Sequence, residues 1–195
     1  IYTIPPRPSN LSILFSAINA SSVLDIGGSN GWSYYYLNNS LNSNKVKKYT
    51  ILEVEPISKF FSQIYKDKSI NYEFNISKIT RHDILYMNST LQYFEDNYLL
   101  KIINLSRPKF ILIDDFLGGK IRNFYSYQNY YDDQIPVKFR NISQFKKKMI
   151  NNGYSLNLIK DFSTEINGNI SYFPKSKNKE VSKVRNGLSL MFKKI

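Results

Sequence analysis

Hydrophobic residues along the chain form short continuous runs that alternate with segments of helical periodicity. Apolar runs of about five residues are typical of strands, and runs without internal polar residues are typical of strands buried on both faces. The predicted strands are Ser22–Ile26, Tyr49–Glu53, Ile70–Asn75, Ile84–Asn88 and Phe110–Asp114.

Amphipathic segments before and between these runs are predicted to be helices. Ser9 is placed to cap the first helix, whose apolar residues follow the spacing i, i+3, i+4, i+7 at Leu11, Leu14, Phe15 and Ile18. Pro56 suits the first turn of the third helix. This third helix carries Phe60, Phe61 and Ile64. The second and fourth predicted helices are residues 31–41 and 96–105.

The regular alternation ends after the fifth strand. Residues 118–140 are aromatic and polar without a clear period, and we predict that they form a long ordered loop or lid. Ser143 is expected to cap a further helix, which Gly153 ends. The chain is predicted to close with two strands, Tyr154–Ile159 and Leu188–Phe192, the second preceded by the turn residues Asn186-Gly187.

Alternating strands and helices predict an α/β fold with an open, mostly parallel sheet that is covered by helices on both faces. With 195 residues the chain fits a single domain, residues 1–195, with a full hydrophobic core, and no second core is needed. Ligands of such sheets bind beyond the carboxyl ends of the strands, where the strand order reverses. The chemistry of this chain is therefore expected at that edge.

The composition adds a strong positive charge, formally +12 at pH 7. Fourteen Lys and Arg residues but only five Asp and Glu residues follow residue 120, and part of this excess lies in the run Lys175–Glu180. A solvated basic face in a chain rich in Lys, Asn, Ile and Tyr would explain the charge, and so would an anionic partner such as a nucleic acid. Cysteine is absent and no apolar run reaches membrane-spanning length, so a cytoplasmic location is expected.

Three candidate binding elements each follow a predicted strand. The segment Asp25-Ile-Gly-Gly-Ser-Asn-Gly31 combines an acid with a glycine-rich turn that leads into a helix, and Glu53 lies 22 residues beyond it. An acid at about this spacing is placed to bind the two hydroxyl groups of a ribose. The third element is Asn88-Ser89-Thr90. Any α/β protein can have a glycine-containing turn here, and it is the shared position at the strand ends that favours a nucleotide site.

The order of residues in the turn discriminates between nucleotides. A dinucleotide-binding turn has the pattern G-x-G-x-x-G, whereas here Asp25 stands two residues before the first glycine. A carboxylate at this place would repel a pyrophosphate but suits a ligand that carries an ammonium and a sulfonium group. Because the chain also ends in an apparent hairpin rather than another βα unit, S-adenosylmethionine is favoured over NAD.

The segment from Val23 to Gly31 is similar to motif I of class I S-adenosylmethionine-dependent methyltransferases, and Glu53 in Ile-Leu-Glu-Val-Glu-Pro matches the ribose-binding acid of their second motif. The chain from about Ser12 onward resembles a subfamily of small bacterial methyltransferases that are associated with surface-polysaccharide genes. The matching features include Tyr34-Tyr35, Leu91-Gln-Tyr-Phe-Glu-Asp96, Gln128 and Gly153-Tyr154. Ser29 departs from the glycine usual in motif I.

The resemblance implies a Rossmann-like fold with a seven-stranded sheet and a C-terminal antiparallel hairpin. It implies a cofactor site formed by Asp25, Gly27, Gly28, Ser29, Gly31, Glu53, Val54, Asn88 and Ser89. It also implies acceptor contacts by Tyr93 and Gln128, the latter in the predicted lid.

The catalytic candidates are Asp114 and Asp115, which follow the fifth strand. Methyl transfer depends mostly on positioning, and a carboxylate could take the proton of a hydroxyl acceptor. The only histidine, His82, precedes the fourth strand, at the opposite edge of the sheet, and is expected to be structural. The paired acids also resemble the strand-five end of metal-dependent O-methyltransferases, but Asn88 replaces an acid of that family, and we predict no metal. Asp114 and Asp115 could alternatively cap the next turn.

The sequence therefore predicts a methyltransferase that uses S-adenosylmethionine, with a hydroxyl of a sugar or related small metabolite in surface-glycan biosynthesis as the acceptor. The class of acceptor is inferred from the surface-polysaccharide genes with which the resembling subfamily is associated. The aromatic segment 124–131 could cover such an acceptor or stack on single-stranded nucleic acid, so an RNA methyltransferase is one alternative. A Rossmann-like domain that binds without catalysis is the other.

Overall fold

The computed structural model describes residues 9–41, 46–65, 70–130, 132–163 and 179–195. Most of the basic run at 175–180 and Tyr131 of the aromatic segment lie outside the described residues. No helix in the described part of the chain is long and apolar enough to cross a membrane.

The chain forms ten strands and five α-helices within the described residues. The strands are β1 (Ser22–Ile26), β2 (Lys48–Leu52), β3 (Ile70–Glu73), β4 (Ile84–Asn88), β5 (Phe110–Phe116), β6 (Gly118–Gly119), β7 (Phe124–Tyr130), β8 (Asp133–Asn141), β9 (Tyr154–Asp161) and β10 (Leu188–Lys194). The helices are α1 (Asn10–Ala17), α2 (Trp32–Ser40), α3 (Glu55–Ile64), α4 (Asp96–Ser106) and α5 (Ile142–Asn151).

The main sheet has seven strands in the order β3-β2-β1-β4-β5-β10-β9. Strands β1 to β5 pair in parallel, while β10 is antiparallel to both β5 and β9. This arrangement confirms the predicted fold, including the antiparallel C-terminal hairpin. The order reverses between β1 and β4, so a ligand site is expected where these two strands end.

Helices cover both faces of this sheet, as predicted. One core packs α1 and α2 against the sheet, with Phe15, Leu37 and Tyr49 among its fully buried side chains. The opposite core packs α4 and α5 against the sheet through residues such as Ile102 and Met149. Because both faces are covered, only the strand ends are free to present polar groups to a ligand.

Two helix starts show how local hydrogen bonding sets the boundaries. Ser9 caps α1 as predicted, its hydroxyl accepting a bond from the Ser12 N–H at 3.1 Å. The expected cap of α5, Ser143, is wrong, because Asn141 caps this helix by accepting from the Gln144 N–H at 2.9 Å. Strand β8 runs up to Asn141, so the helix begins as soon as the strand ends.

The prediction that residues 118–140 form a long loop is wrong. They contain a second, three-stranded sheet in the order β6-β8-β7, in which β7 and β8 form an antiparallel hairpin. Phe124 and Phe139 face each other across the hairpin with ring centroids 4.7 Å apart. A small core that includes Val137 and Val184 holds the hairpin to the rest of the domain. Aromatic residues have high strand propensity, which outweighed the lack of a clean apolar period.

His82 has the structural role that its place in the sequence predicts. It is 2% exposed, and its Nδ1 and Nε2 atoms lie 2.7 Å from the Thr80 carbonyl and 3.0 Å from the Thr50 hydroxyl. Burial lowers the pKa of His82 to about 4, and the nearby Lys48 ammonium acts in the same direction. The imidazole is therefore neutral in the folded protein at neutral pH.

His82 should make the protein less stable in acid. Its pKa is about 4 when folded but near 6.5 in the unfolded chain, so the unfolded chain binds the extra proton. The stability that neutral His82 provides is complete above about pH 6.5 and is lost as the pH falls toward 4, by up to about 3 kcal/mol. Denaturant unfolding of the wild type and a His82→Gln variant at several pH values measures this loss, and curves that stay parallel from pH 7 to 4 would contradict it.

Candidate functional site

The turn between β1 and α2 has the backbone conformation that its glycines predict. Gly27 and Gly31 have φ angles of +70° and +79°, and Ser29 between them has a φ of +46°. The Gly31 N–H donates to the Gly28 carbonyl at 2.9 Å, and Gly31 is the N-cap of α2. The serine that departs from motif I therefore occupies a left-handed conformation, which is sterically unfavourable for a residue with a side chain.

Neighbouring side chains leave no room for a Cβ atom in this turn. A Cβ on Gly27 would lie 2.4 Å from the Thr90 methyl group, and one on Gly28 would lie 2.5 Å from an Asp25 carboxylate oxygen. Both distances are far below van der Waals contact. Glycine is therefore required at both positions for packing against Thr90 and Asp25, and the half-buried backbone of the turn lies at the switch point of the sheet.

Asp25 lies beneath this turn, 1% exposed, near the end of β1. The Tyr49 hydroxyl donates to its Oδ2 atom at 2.6 Å. Burial raises the pKa of Asp25 to about 7; the Tyr49 bond opposes this rise and the Glu53 carboxylate adds to it. Burial thus favours the protonated carboxyl group, and a cation bound above the turn would favour its ionised form.

The ends of β2 and β3 form the next part of the site. Glu53 is half-buried, and its Oε2 atom accepts from the Val54 N–H at 2.8 Å. The register pairs Leu52 with Glu73, so Glu53 and Phe74, an aromatic residue that the sequence analysis missed, are the next residues after β2 and β3. Val54 and Phe74 are 60% and 42% exposed. Two exposed apolar side chains beside an acid are suited to a flat base joined to a ribose.

Tyr72 supplies a second observation that favours a ligand at this edge. Its hydroxyl is buried and has no hydrogen-bond partner among the described residues. It lies 3.1 Å from the position that a Cβ of Gly31 would take, so it sits against the glycine turn. Burying an unpaired hydroxyl is unfavourable, and a polar ligand atom beside the turn would satisfy it.

The ends of β4 and β5 bring together three of the predicted site residues. The Ser89 hydroxyl donates to Asp115 Oδ2 at 2.8 Å and lies 3.2 Å from the Asn88 amide oxygen. Ser89 and Asp115 have positive φ angles of +53° and +58°. Burial raises the pKa of Asp115, which the Ser89 bond partly opposes. The next residue, Thr90, packs against Gly27, so this group lies close to the glycine turn.

Asp114 lies in the interior, away from Asp115, whose positive φ interrupts the regular strand geometry where the pairing of β5 with β10 shifts register. It is 3% exposed and accepts bonds from Asn10 at 2.8 Å and from Ser189 at 2.6 Å. Burial raises its pKa, and these two bonds oppose the rise. Among the residues that the structure describes, no three His, Asp or Glu side chains are arranged to hold a metal ion.

The two residues that the resemblance assigns to the acceptor are in contact. The Tyr93 hydroxyl donates to the Gln128 amide oxygen at 3.0 Å, which joins the segment after β4 to the hairpin strand β7. Two ion pairs tie the same parts together, Lys138 with Glu95 at 2.6 Å and Arg140 with Asp96 at 3.0 Å. The hairpin is therefore held beside the ends of β4 and β5 as a paired, ordered wall.

No protein-family model matches the chain, and no curated protein does so either. Solved structures are similar in fold, among them a candidate S-adenosylmethionine-dependent methyltransferase from Listeria monocytogenes, with a TM-score of 0.59 and 14% identity over 91% of this chain and 92% of the other. The mitomycin 7-O-methyltransferase MmcR has a TM-score of 0.57 and 12% identity over 93% of this chain and 50% of its own. A protein described as a pericyclic reaction enzyme has a TM-score of 0.57 and 13% identity over 99% of this chain and 50% of its own. The chain thus has the Rossmann-like fold of class I methyltransferases.

The raised pKa of Asp25 predicts a pH-dependent stability. Because this pKa is about 7 in the folded protein and about 3.8 in the unfolded chain, the folded protein binds more protons between these values. The free energy of unfolding should therefore fall as the pH rises from 4 to 7, by up to about 4 kcal/mol from this group. An Asp25→Asn variant should lose this contribution, as measured by its unfolding free energy relative to the wild type at each pH. If the difference in unfolding free energy between the two proteins does not change with pH, Asp25 has an ordinary pKa in the folded protein.

Proposed function

We propose that this protein is an S-adenosylmethionine-dependent methyltransferase. The observation that carries the proposal is the turn of bare backbone over a buried acid, beside an unpaired tyrosine hydroxyl, at the switch point of a methyltransferase-like sheet. The residues present fit the cofactor, because its charged amino-acid part, ribose and adenine each meet a suitable group along the edge.

The assignment of the parts follows the strand ends. Gly27, Gly28 and Gly31 would admit the amino-acid part above the negative charge of Asp25, and Glu53 would accept hydrogen bonds from the ribose hydroxyls. The exposed apolar surfaces of Val54 and Phe74 would cover the adenine. Ser29, Asn88 and Ser89 would complete the cofactor site on the side that faces β4 and β5.

When bound, the cofactor supplies a methyl group that is activated by its sulfonium. The chain contributes orientation, exclusion of water and a proton acceptor. We assign the last role to Asp115, whose carboxylate is half-buried at the edge and oriented by Ser89. It would take the proton of the acceptor hydroxyl as the new C–O bond forms. Asp114 is buried and already accepts two short hydrogen bonds, so we assign it a positioning role instead.

The proposed acceptor is a hydroxyl of a sugar or a related small metabolite. Tyr93 and Gln128 support a site for it, because a tyrosine ring with a polar tip and an amide can bind a hydroxylated ring from two sides. MmcR, as a 7-O-methyltransferase, shows that the fold is compatible with transfer to oxygen. A role in surface-glycan biosynthesis and a cytoplasmic location remain predictions from the sequence.

A cofactor-binding domain that does not transfer methyl groups is the first alternative. The similarity to a pericyclic reaction enzyme favours it, since that protein shares the fold but is described by a different reaction. Binding of S-adenosylmethionine without methyl transfer to any of a broad set of hydroxylated acceptors would support this alternative.

Methylation of RNA is the second alternative, which the net charge of +12 favours. Binding driven by phosphate contacts weakens steeply with salt. An affinity for single-stranded RNA that falls steeply between 50 and 200 mM salt would therefore support it.

Calorimetric titration tests the cofactor. The wild type should bind S-adenosylmethionine with micromolar affinity and should not bind NAD. A Gly27→Val variant should lose binding, because a side chain there meets Thr90 and requires an unfavourable φ angle. Gly119→Val is the matched control, since a Cβ on Gly119 has no neighbour within 4 Å. If Gly27→Val stays folded and binds as tightly as the control, the glycine turn is not the cofactor site.

Asparagine variants test the two aspartates. With isotope-labelled S-adenosylmethionine and a set of monosaccharides as acceptors, Asp115→Asn should reduce methyl transfer about 100-fold or more at unchanged cofactor affinity, in line with typical losses of a general base. Asp114→Asn should mainly lower the melting temperature, because it disturbs buried bonds to Asn10 and Ser189. The assignment is refuted by an Asp115→Asn variant that transfers methyl groups at the wild-type rate.

A further inference from the structure

A pocket outside the cofactor edge has a lining that is unusually basic. It has a volume of about 600 Å³ and lies between the segment after β6, the start of α5 and the turn before β10. We call it the basic pocket; its polar lining consists of Lys120, Arg122, Asn141, Ser143, Glu180 and Lys183. Neither the predicted motifs nor the proposed methyl transfer accounts for it.

The charge of the basic pocket is only partly neutralised. Lys183 pairs with Glu180 at 2.5 Å. The remaining cations of the lining are Lys120 and Arg122. Lys120 and Arg122 are exposed and make no ion pair with any residue in the described ranges. Three cations and one carboxylate around one concavity give a net charge of about +2, which attracts an anion.

The wall that carries Asn141 and Ser143 is rigid. Asn141 donates from its side chain to the Ile121 carbonyl at 2.6 Å and caps α5 through its side-chain oxygen. Ser143 lies in the first helical turn, where backbone N–H groups lack partners within the helix. Beneath this wall lies the small core that contains Ile121, Phe139 and Val184. The pocket is therefore a preformed concavity between fixed elements, and the helix start adds to its positive potential.

The shape and lining identify the class of anion. A volume of about 600 Å³ is that of a small-molecule site, whereas a nucleic acid strand needs an extended basic groove. The lining contains no aromatic side chain on which a base could stack. Arg122 can bind two oxygens of one phosphate through its planar guanidinium, and Lys120 can add a point charge.

We propose that the basic pocket binds the phosphate group of a small organic phosphate. Its position suits a phosphorylated acceptor: Lys120 follows Asp115 by five residues, which limits their Cα atoms to about 18 Å. Gly187, which packs against Asp115, is only four residues beyond Lys183. A molecule of moderate length could thus place a phosphate in the pocket and a hydroxyl near Asp115, a link that rests on the proposed methyl transfer. Binding of the phosphate itself does not depend on it.

Calorimetry with pyrophosphate, glucose 1-phosphate and glucose tests the proposal. The protein should bind the two phosphates and not glucose. A Lys120→Gln/Arg122→Gln double variant should lose at least tenfold in affinity for both phosphates. The matched control is Lys146→Gln/Lys147→Gln, which removes the same charge from exposed positions of α5 outside the pocket and should change affinity less than twofold.

Three results would overturn the proposal. The first is that no phosphate binds at millimolar concentration. The second is that the two double variants lose phosphate affinity equally. The third is that a mixed-sequence RNA binds more tightly than the phosphates and that both double variants weaken its binding alike. The last two would indicate attraction by the overall charge. S-adenosylmethionine is also titrated into the wild type and the two double variants, and its affinity should be the same for all three proteins. Its failure to bind would refute the proposed function while leaving the phosphate result to be judged alone.

Discussion

The buried carboxyl group of Asp25 is the constraint on which the rest of the site depends. It lies near the end of β1, and the backbone of Gly28 packs against one of its oxygens while the Tyr49 hydroxyl bonds the same oxygen. A side chain at position 28 would displace the acid, and loss of Tyr49 would leave a buried oxygen without its donor. The shape of the turn and the charge beneath it are thus determined together, and both act on whatever binds above.

Strained backbone is concentrated at the same edge. Ser29, Ser89 and Asp115 are three of the five non-glycine residues with positive φ in the described part of the chain; Ser29 and Ser89 follow β1 and β4, and Asp115 lies near the end of β5. Such conformations cost roughly 1–3 kcal/mol each and persist where the surrounding structure holds them. Here the sheet, buried on both faces, supplies the rigidity. The strained residues consequently stand at fixed positions around the switch point.

The hairpin of β7 and β8 adds a second structural layer to this edge. Its ion pairs and the Tyr93–Gln128 bond connect it to the segment after β4, while its own small core borders the basic pocket. One small sheet thus supports both the proposed acceptor site and the proposed phosphate site. The excess positive charge of the chain has at least one local concentration, at Lys120, Arg122 and Lys183.

The sequence by itself determined the main sheet, its parallel strands, the glycine turn and the acids at the strand ends, because these depend on local periodicity and on residues with unusual backbone preferences. Only the tertiary structure decided which acid faces the edge: Asp114 and Asp115 are adjacent in sequence, but an irregular pairing of β5 with β10 leaves Asp114 bonded to Asn10 in the interior and Asp115 bonded to Ser89. It also decided that residues 118–140 form a hairpin, and that Thr90 and Tyr49 support the turn from strands distant in the chain. These features arise from contacts between residues far apart in sequence, which no local pattern records.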